Sequence, residues 1–263
     1  MTAVGTPVVA PAPGLQAFSL AGRRALVTGA GRGIGRALAL GLAAAGAEVV
    51  VAGRPGSGAE TLRALAGAGA VATSLDMDLS RPEDIGADLL DRLGGPVDVL
   101  VNNAGTIARD DAVDVGLTAW NAVVDVNLTS LFQLTRVLAA PMLARGAGKI
   151  VNVASLLSFQ GGLRVASYAA SKHAVAGLTR ALANEWAAAG VQVNAIAPGY
   201  VETDNTAPLR ADAERRRGID GRIPAGRWGR PEDLVGAAVF LASGASDYVN
   251  GHVLVVDGGW LAR

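Results

Sequence analysis

A chain of 263 residues, 51% hydrophobic and only 17% charged, is long enough to bury a sizeable core in one large α/β domain. Its 23 basic and 23 acidic side chains cancel, so no net field draws nucleic acid or an anionic membrane, and a small-molecule partner is expected. With no cysteine, disulfides and thiolate chemistry are excluded, and the separated His173 and His252 suggest no metal site.

Residues 1–14 carry no charge and contain Pro7, Pro11 and Pro13, so they read as an N-terminal tail to a domain at 15–263, not as a secretory leader. Residues 24–28 (RALVT) form a β-rich run ending at Gly29. Apolar residues then recur at Ile34, Leu38, Ala39 and Leu42 with helical spacing, Gly46 closes the helix, and residues 48–52 (EVVVA) make the next strand. The apolar stretch 37–53 is too short to cross a bilayer comfortably and is broken by Gly41, Gly46 and Glu48, so a buried helix and strand in a cytoplasmic protein are expected.

A helix over 58–67, a strand near 71–75, a helix after Pro82 and a strand over 97–101 follow. Residues 117–145 predict one long helix, broken late by Pro141; 149–154 predict a fifth strand, 168–189 a helix and 191–196 a sixth strand. The stretch 198–230, rich in Arg, Pro and Gly, is predicted irregular and is the candidate substrate-loop region. A helix over 231–242 and a strand over 252–256 complete the alternation. Near-continuous apolar strands between helices predict an α/β fold: a single-domain, doubly wound parallel sheet of about seven strands, Rossmann-type, with helices on both faces.

Two constellations carry chemistry. Gly29, Gly33 and Gly35 lie between the first strand and the first helix, where bare backbone amides and a helix N-terminus receive a pyrophosphate. Tyr168 and Lys172 stand four residues apart on a predicted helix and so share a face. A tyrosine titrates near pH 10 when unperturbed, and a neighbouring cation favours its phenolate, which would make Tyr168 an acid/base. Taken singly, each also fits an ordinary turn or a solvated surface pair. Asp110-Asp111 reads as a turn or cap, and Arg215-Arg216-Arg217 as a solvated face.

Thr28–Gly35 (TGAGRGIG), Asn102–Gly105 (NNAG), Asn127, Ser155, Tyr168-x3-Lys172 and Pro198-Gly199 together resemble the short-chain dehydrogenase/reductase family, in the family's order and over nearly the whole chain from about residue 20. The resemblance implies hydride transfer between a nicotinamide dinucleotide and a carbinol or carbonyl carbon. In it Tyr168 exchanges the proton, Lys172 lowers the phenol's pKa and binds the nicotinamide ribose, Ser155 holds the substrate oxygen, and Asn127 helps hold a proton-relay water. Thr28, Gly29, Arg32, Gly33, Ile34, Gly35, Asp78, Asn103, Ala104, Gly105, Pro198, Gly199, Val201 and Thr203 correspond to cofactor-binding positions. The second strand ends in Gly53-Arg54 where NAD-selecting relatives carry an acidic residue, so Arg54, helped by Arg32, tilts the choice of NADP or NAD towards NADP.

The runs 155–165, 184–186, 197–200, 222–229 and 246–263 are similar to the sugar-acid branch of the family, which acts on a secondary hydroxyl of six-carbon aldonates such as gluconate or 2-dehydro-3-deoxygluconate. That branch is generally NAD-linked, which the Gly53-Arg54 pair does not match. A sugar acid needs a cation for its carboxylate, for which Arg109 and Arg164 are the candidates, and polar partners for its hydroxyls, for which Gln160 and Asn205 are. A general carbonyl or 3-oxoacyl-thioester reductase is the alternative, and a nucleotide-sensing protein without catalysis the remote one. Family members associate, so a homotetramer or homodimer built on the helices over 117–145 and 168–189 is expected.

Overall fold

The computed structural model describes residues 14–263; residues 1–13 of the expected tail lie outside the described residues. Strand β1 (Arg24–Thr28) leads into α1 (Gly33–Ala44), followed by β2 (Glu48–Gly53), α2 (Ala59–Gly67), β3 (Ala72–Asp76), α3 (Asp88–Leu93) and β4 (Val99–Asn102). The second half runs α4 (Leu117–Val124), α5 (Ser130–Arg145), β5 (Gly148–Val153), α6 (Ala166–Trp186) and β6 (Val191–Pro198). It closes with α7 (Ala207–Ala211), α8 (Ala213–Asp220), α9 (Val235–Ala242) and β7 (Val253–Val256).

The seven strands form one sheet in the order β3-β2-β1-β4-β5-β6-β7, and every pairing is parallel. Side chains alternate across a strand, so each strand serves two cores. Val27, Val49, Val51 and Val101 meet Leu38 and Leu42 of α1 and Leu241 of α9 on one face. Leu26, Val50, Leu100 and Ile150 meet Leu134, Leu138 and Met142 of α5 and Leu182 and Trp186 of α6 on the other. The strand order reverses between β1 and β4, and an open parallel sheet receives ligands in the crevice at the carboxyl ends of its strands there. No helix among the described residues is long and apolar enough to cross a membrane.

Two expectations need correction. The helix expected over 117–145 is divided: a π-helical turn, Asp125–Thr129, separates α4 from α5, while Pro141 lies inside α5 without ending it. Proline removes one helix bond, and here the buried flanks Leu138, Ala139 and Met142 keep the helix on the sheet. The stretch 198–230 is not wholly irregular, because α7 and α8 lie within it; Asp212 caps α8 by accepting the backbone N–H groups of Glu214 and Arg215.

Candidate active site

The end of β1 is tied to the end of β4. Thr28 Oγ1 accepts the backbone N–H groups of Asn103 and Ala104, both at 3.0 Å, and Asn103 Nδ2 donates to Thr28 O at 2.9 Å. Both side chains thus hold the ends of β1 and β4 together at the crevice. A Cβ at Gly35 would strike the Gly29 carbonyl and the Asn103 amide, and Gly33 adopts φ +53°, which suits glycine. Ile34, between them, packs against the α1-side core.

The first turn of α1 has no side-chain cap and no acidic residue, so its leading N–H groups have no intrahelical acceptor and no competing charge. Bare glycines next to an uncapped helix N-terminus fit the pyrophosphate of a dinucleotide. Arg54 stands exposed at the end of β2. The Asp78 carboxyl is held below the usual range by hydrogen bonds from the Ser80 backbone and hydroxyl, with the Arg54 charge adding to the effect. Arg32 meets Asp204 at 2.6 Å, linking the glycine turn to the stretch after β6.

The first turns of α6 and the end of β5 form the second half of the site. Lys172 Nζ lies 5.6 Å from the centre of the Tyr168 ring, so the pair shares a face as the spacing predicts. Lys172 is 4% exposed and donates to Val153 O at 2.6 Å; burial lowers its pKa to about 8. The Tyr168 pKa is raised by burial, opposed by hydrogen bonding with Ser155 and by the positive charge of Arg109. Desolvation of a charged phenolate outweighs its neighbours here. Ser155 follows β5, and its Oγ also accepts the Leu157 N–H at 3.1 Å.

Asn127, fully buried in the π turn, is the hinge pin of this half. Its Oδ1 accepts from Thr106 N at 2.8 Å, and its Nδ2 donates to Thr106 O at 2.9 Å and to Ser171 Oγ at 3.1 Å. Both amide N–H groups are thus committed within the protein, so any contact of Asn127 with a relay water falls to its backbone in the π turn. Ser171 Oγ donates in turn to Tyr168 O, and Ser158 Oγ donates to Lys172 O at 2.6 Å. Gly105 leaves this wall open: a Cβ there would stand 3.3 Å from Asn127 Oδ1 and 3.8 Å from Lys172 Nζ.

Sequence reasoning missed Thr106, Ser158 and Ser171, and also the buried ladder behind them. In it Asn102 Nδ2 donates to Thr135 and Asn152, and Asn152 Nδ2 donates to Thr179, joining β4 and β5 to α5 and α6. The available signal was polar residues inside otherwise apolar strands, as in VLVN and KIVNV.

On the substrate side, Pro198 ends β6 and pairs with Val256; Gly199 passes so close to Asp257 that a Cβ would stand 2.6 Å from its Cα. Buried Val201 accepts the Thr206 hydroxyl through its carbonyl, and the Thr203 methyl lies 3.6 Å from where a Gly33 Cβ would be. Arg109 Nη2 donates to Asn205 O at 2.7 Å. Arg164 is instead paired with Asp111 at 3.1 Å and Asp110 at 3.9 Å, so its charge is already balanced and it does not join Arg109 as a free cation. Gln160 Oε1 accepts the Trp260 indole N–H at 3.2 Å, helping to seat an aromatic wall of Tyr200, Trp228 and Trp260 beside Leu156.

Residues 29–261 match a family model described as enoyl-(acyl carrier protein) reductase. A 2-dehydro-3-deoxy-D-gluconate 5-dehydrogenase of Bacillus subtilis (strain 168) is 56% identical over 94% of this chain and 98% of its own length. The protein of that description from Escherichia coli (strain K12) is 51% identical over 95% and 99%. The crystal structure of a gluconate 5-dehydrogenase from Burkholderia cenocepacia J2315, in complex with NADP and tartrate, superposes with a TM-score of 0.90 at 43% identity, covering 95% of this chain and 99% of that one.

Proposed function

The chain belongs to the short-chain dehydrogenase/reductase family, and from that premise we propose an NAD(P)-dependent oxidoreductase that interconverts a secondary hydroxyl and a ketone on a sugar acid of the gluconate or 2-dehydro-3-deoxygluconate kind. The observation that carries the sugar-acid reading is Arg109, whose positive charge acts on the Tyr168 phenol and has no carboxylate partner among the described residues. A neutral ketone would have no use for that charge. The relative that holds NADP together with tartrate, itself a hydroxy acid, supports the same pairing of cofactor and ligand class.

The bound dinucleotide supplies the hydride acceptor or donor. Gly29, Gly33 and Gly35 and the N-terminus of α1 hold its pyrophosphate, with Ala104, Gly105, Val201 and Thr203 flanking the groove. The exposed Arg54, following β2, which ends in Gly53 and not in a carboxylate, favours a 2′-phosphate and hence NADP.

Ser155 Oγ donates to the substrate oxygen, where negative charge develops. Tyr168 Oη passes its proton to that oxygen in reduction and takes it in oxidation. The raised phenol pKa keeps Tyr168 protonated at neutral pH, the form ready for reduction. Lys172 supplies the cation that stabilises the phenolate once the proton has left. Asn127 keeps the segment around Gly105 and Thr106 at the distance this arrangement needs.

The protein acts in the cytoplasm, where the dinucleotide pool lies, as a homotetramer or homodimer joined along α4, α5 and α6. The exposed Leu117 and Phe132 on the first two support that association.

Initial rates on a panel of aldonates and ketoaldonates with NAD and NADP test the function. Turnover of an aldonate, better with NADP, with KM raised in Arg109→Ala, is expected. Turnover of acyl thioesters without any sugar acid would overturn the substrate class, and an unchanged KM in Arg109→Ala would remove Arg109 from it.

A further inference from the structure

Among the described residues, one side-chain polar atom is buried without a hydrogen-bond partner: Nε of Arg210, on α7. Buried donors in folded proteins nearly always have acceptors, and one that lacks an internal acceptor takes one from outside the chain, a water, an ion or a ligand. Nη2 of the same guanidinium, which shares an edge with Nε, makes only a long 3.3 Å bond to Thr203 O. That Nε/Nη2 edge is a fork shaped for the two oxygens of a carboxylate.

Three arginines grip three consecutive residues of one turn. Arg210 rests on Thr203 O, Arg32 pairs with the Asp204 carboxylate, and Arg109 rests on Asn205 O. Only Arg32 has its charge matched; Arg109 and Arg210 have neutral carbonyls, two residues apart, as their acceptors. Two guanidiniums without a carboxylate partner among the described residues thus meet the turn that borders the site, one of them carried by the short helix after it. A carboxylate arriving there gives both cations a charged acceptor in place of a neutral one, and it binds the 203–211 segment to the substrate.

We propose that Arg210 is a specificity-determining residue which, with Arg109, receives the carboxylate of the substrate and closes the segment carrying α7 over it. This rests on the sugar-acid reading above and deepens it. Arg210 selects for the anion; it is not one of the groups that move the proton.

The test compares wild type, Arg210→Gln and Arg210→Lys on gluconate and on the matching uncharged hexitol at saturating NADP, with NADPH affinity from fluorescence titration. In Arg210→Gln, KM for the aldonate is expected to rise roughly 10- to 100-fold, the loss of a charge-assisted hydrogen bond, while KM for the hexitol and the NADPH Kd stay within about twofold. Arg210→Lys recovers part of the loss, keeping the charge but not the fork. An unchanged aldonate KM overturns the proposal. So does an equal rise for both substrates, which marks a structural role, or a parallel rise in NADPH Kd, which assigns Arg210 to the dinucleotide because Thr203 borders Gly33. A wild type with no preference for the aldonate sinks the sugar-acid reading itself; a preference kept in Arg210→Gln sinks only the role of Arg210.

Discussion

Lys172 is a charged group kept where charge is costly: 4% exposed, with the Val153 carbonyl as its hydrogen-bond acceptor. Its pKa falls from 10.5 to about 8, so between those values the unfolded chain binds a proton that the folded one does not. Stability attributable to this residue therefore rises as pH climbs from about 8 towards 10.5, and the burial penalty is complete below 8. Lys172→Met removes the charge at similar length. At pH 7 its Tm is expected to equal or exceed that of wild type, with wild type gaining on it as the pH rises through that window, while kcat falls at least about 100-fold. Thermal melts of both proteins from pH 7 to 10 check this; a variant less stable at pH 7 and unaffected by pH would contradict it. The Tyr168-x3-Lys172 pair was legible in the sequence because helical geometry fixes which residues share a face. The direction of the Tyr168 shift was not, because it depends on desolvation by residues far away in the chain, which no local pattern records.

The π turn at Asp125–Thr129 shows a similar limit for whole elements. Apolar spacing on either side is helical, so one extra residue in a turn leaves the pattern looking continuous. Its purpose is visible only in three dimensions, where Asn127 is turned onto both backbone groups of Thr106. Asn127→Ala leaves the half-buried N–H and carbonyl of Thr106 without this partner, at a cost of about 1–3 kcal/mol. Activity is expected to fall with it, because the space in front of Gly105 is bounded by Asn127 Oδ1 and Lys172 Nζ. Asn127→Asp retains the acceptor for the Thr106 N–H and loses the donor to its carbonyl, so its denaturant midpoint should lie between those of Asn127→Ala and wild type. Equal midpoints for all three would contradict the pinning role. The helices α7 and α8 escaped notice for a different reason: α8 buries only Ile219, so it shows no apolar stripe for periodicity to detect.

At the scale of the molecule, the seven-strand parallel sheet was legible because its inner strands β2, β1, β4, β5 and β6 are buried on both faces and read as near-continuous apolar runs, unlike the edge strand β3. That architecture explains why the site residues are scattered in sequence yet meet: Gly29, Asn103, Ser155 and Pro198 all lie at the carboxyl ends of β1, β4, β5 and β6, which are adjacent in the sheet. What the single chain leaves uncovered bears on assembly. Leu117 at the start of α4 is 78% exposed and Phe132 on α5 is 40% exposed, large apolar side chains on the two helices that flank the π turn. Fully burying one such side chain against a second copy is worth about 1.5–3 kcal/mol, so a symmetric interface repeats that gain on both subunits. Phe132→Glu places a carboxylate in that contact twice over. Light scattering coupled to size exclusion is expected to find wild type as a tetramer or dimer and Phe132→Glu shifted to smaller species at micromolar concentration, with far-ultraviolet circular dichroism unchanged. A monomeric wild type would remove the association altogether, and an intact oligomer in Phe132→Glu would move the interface away from α5. Since the π turn that positions Asn127 lies between α4 and α5, dissociation should also lower kcat, and that loss should be recovered by raising the protein concentration if the interface supports the turn.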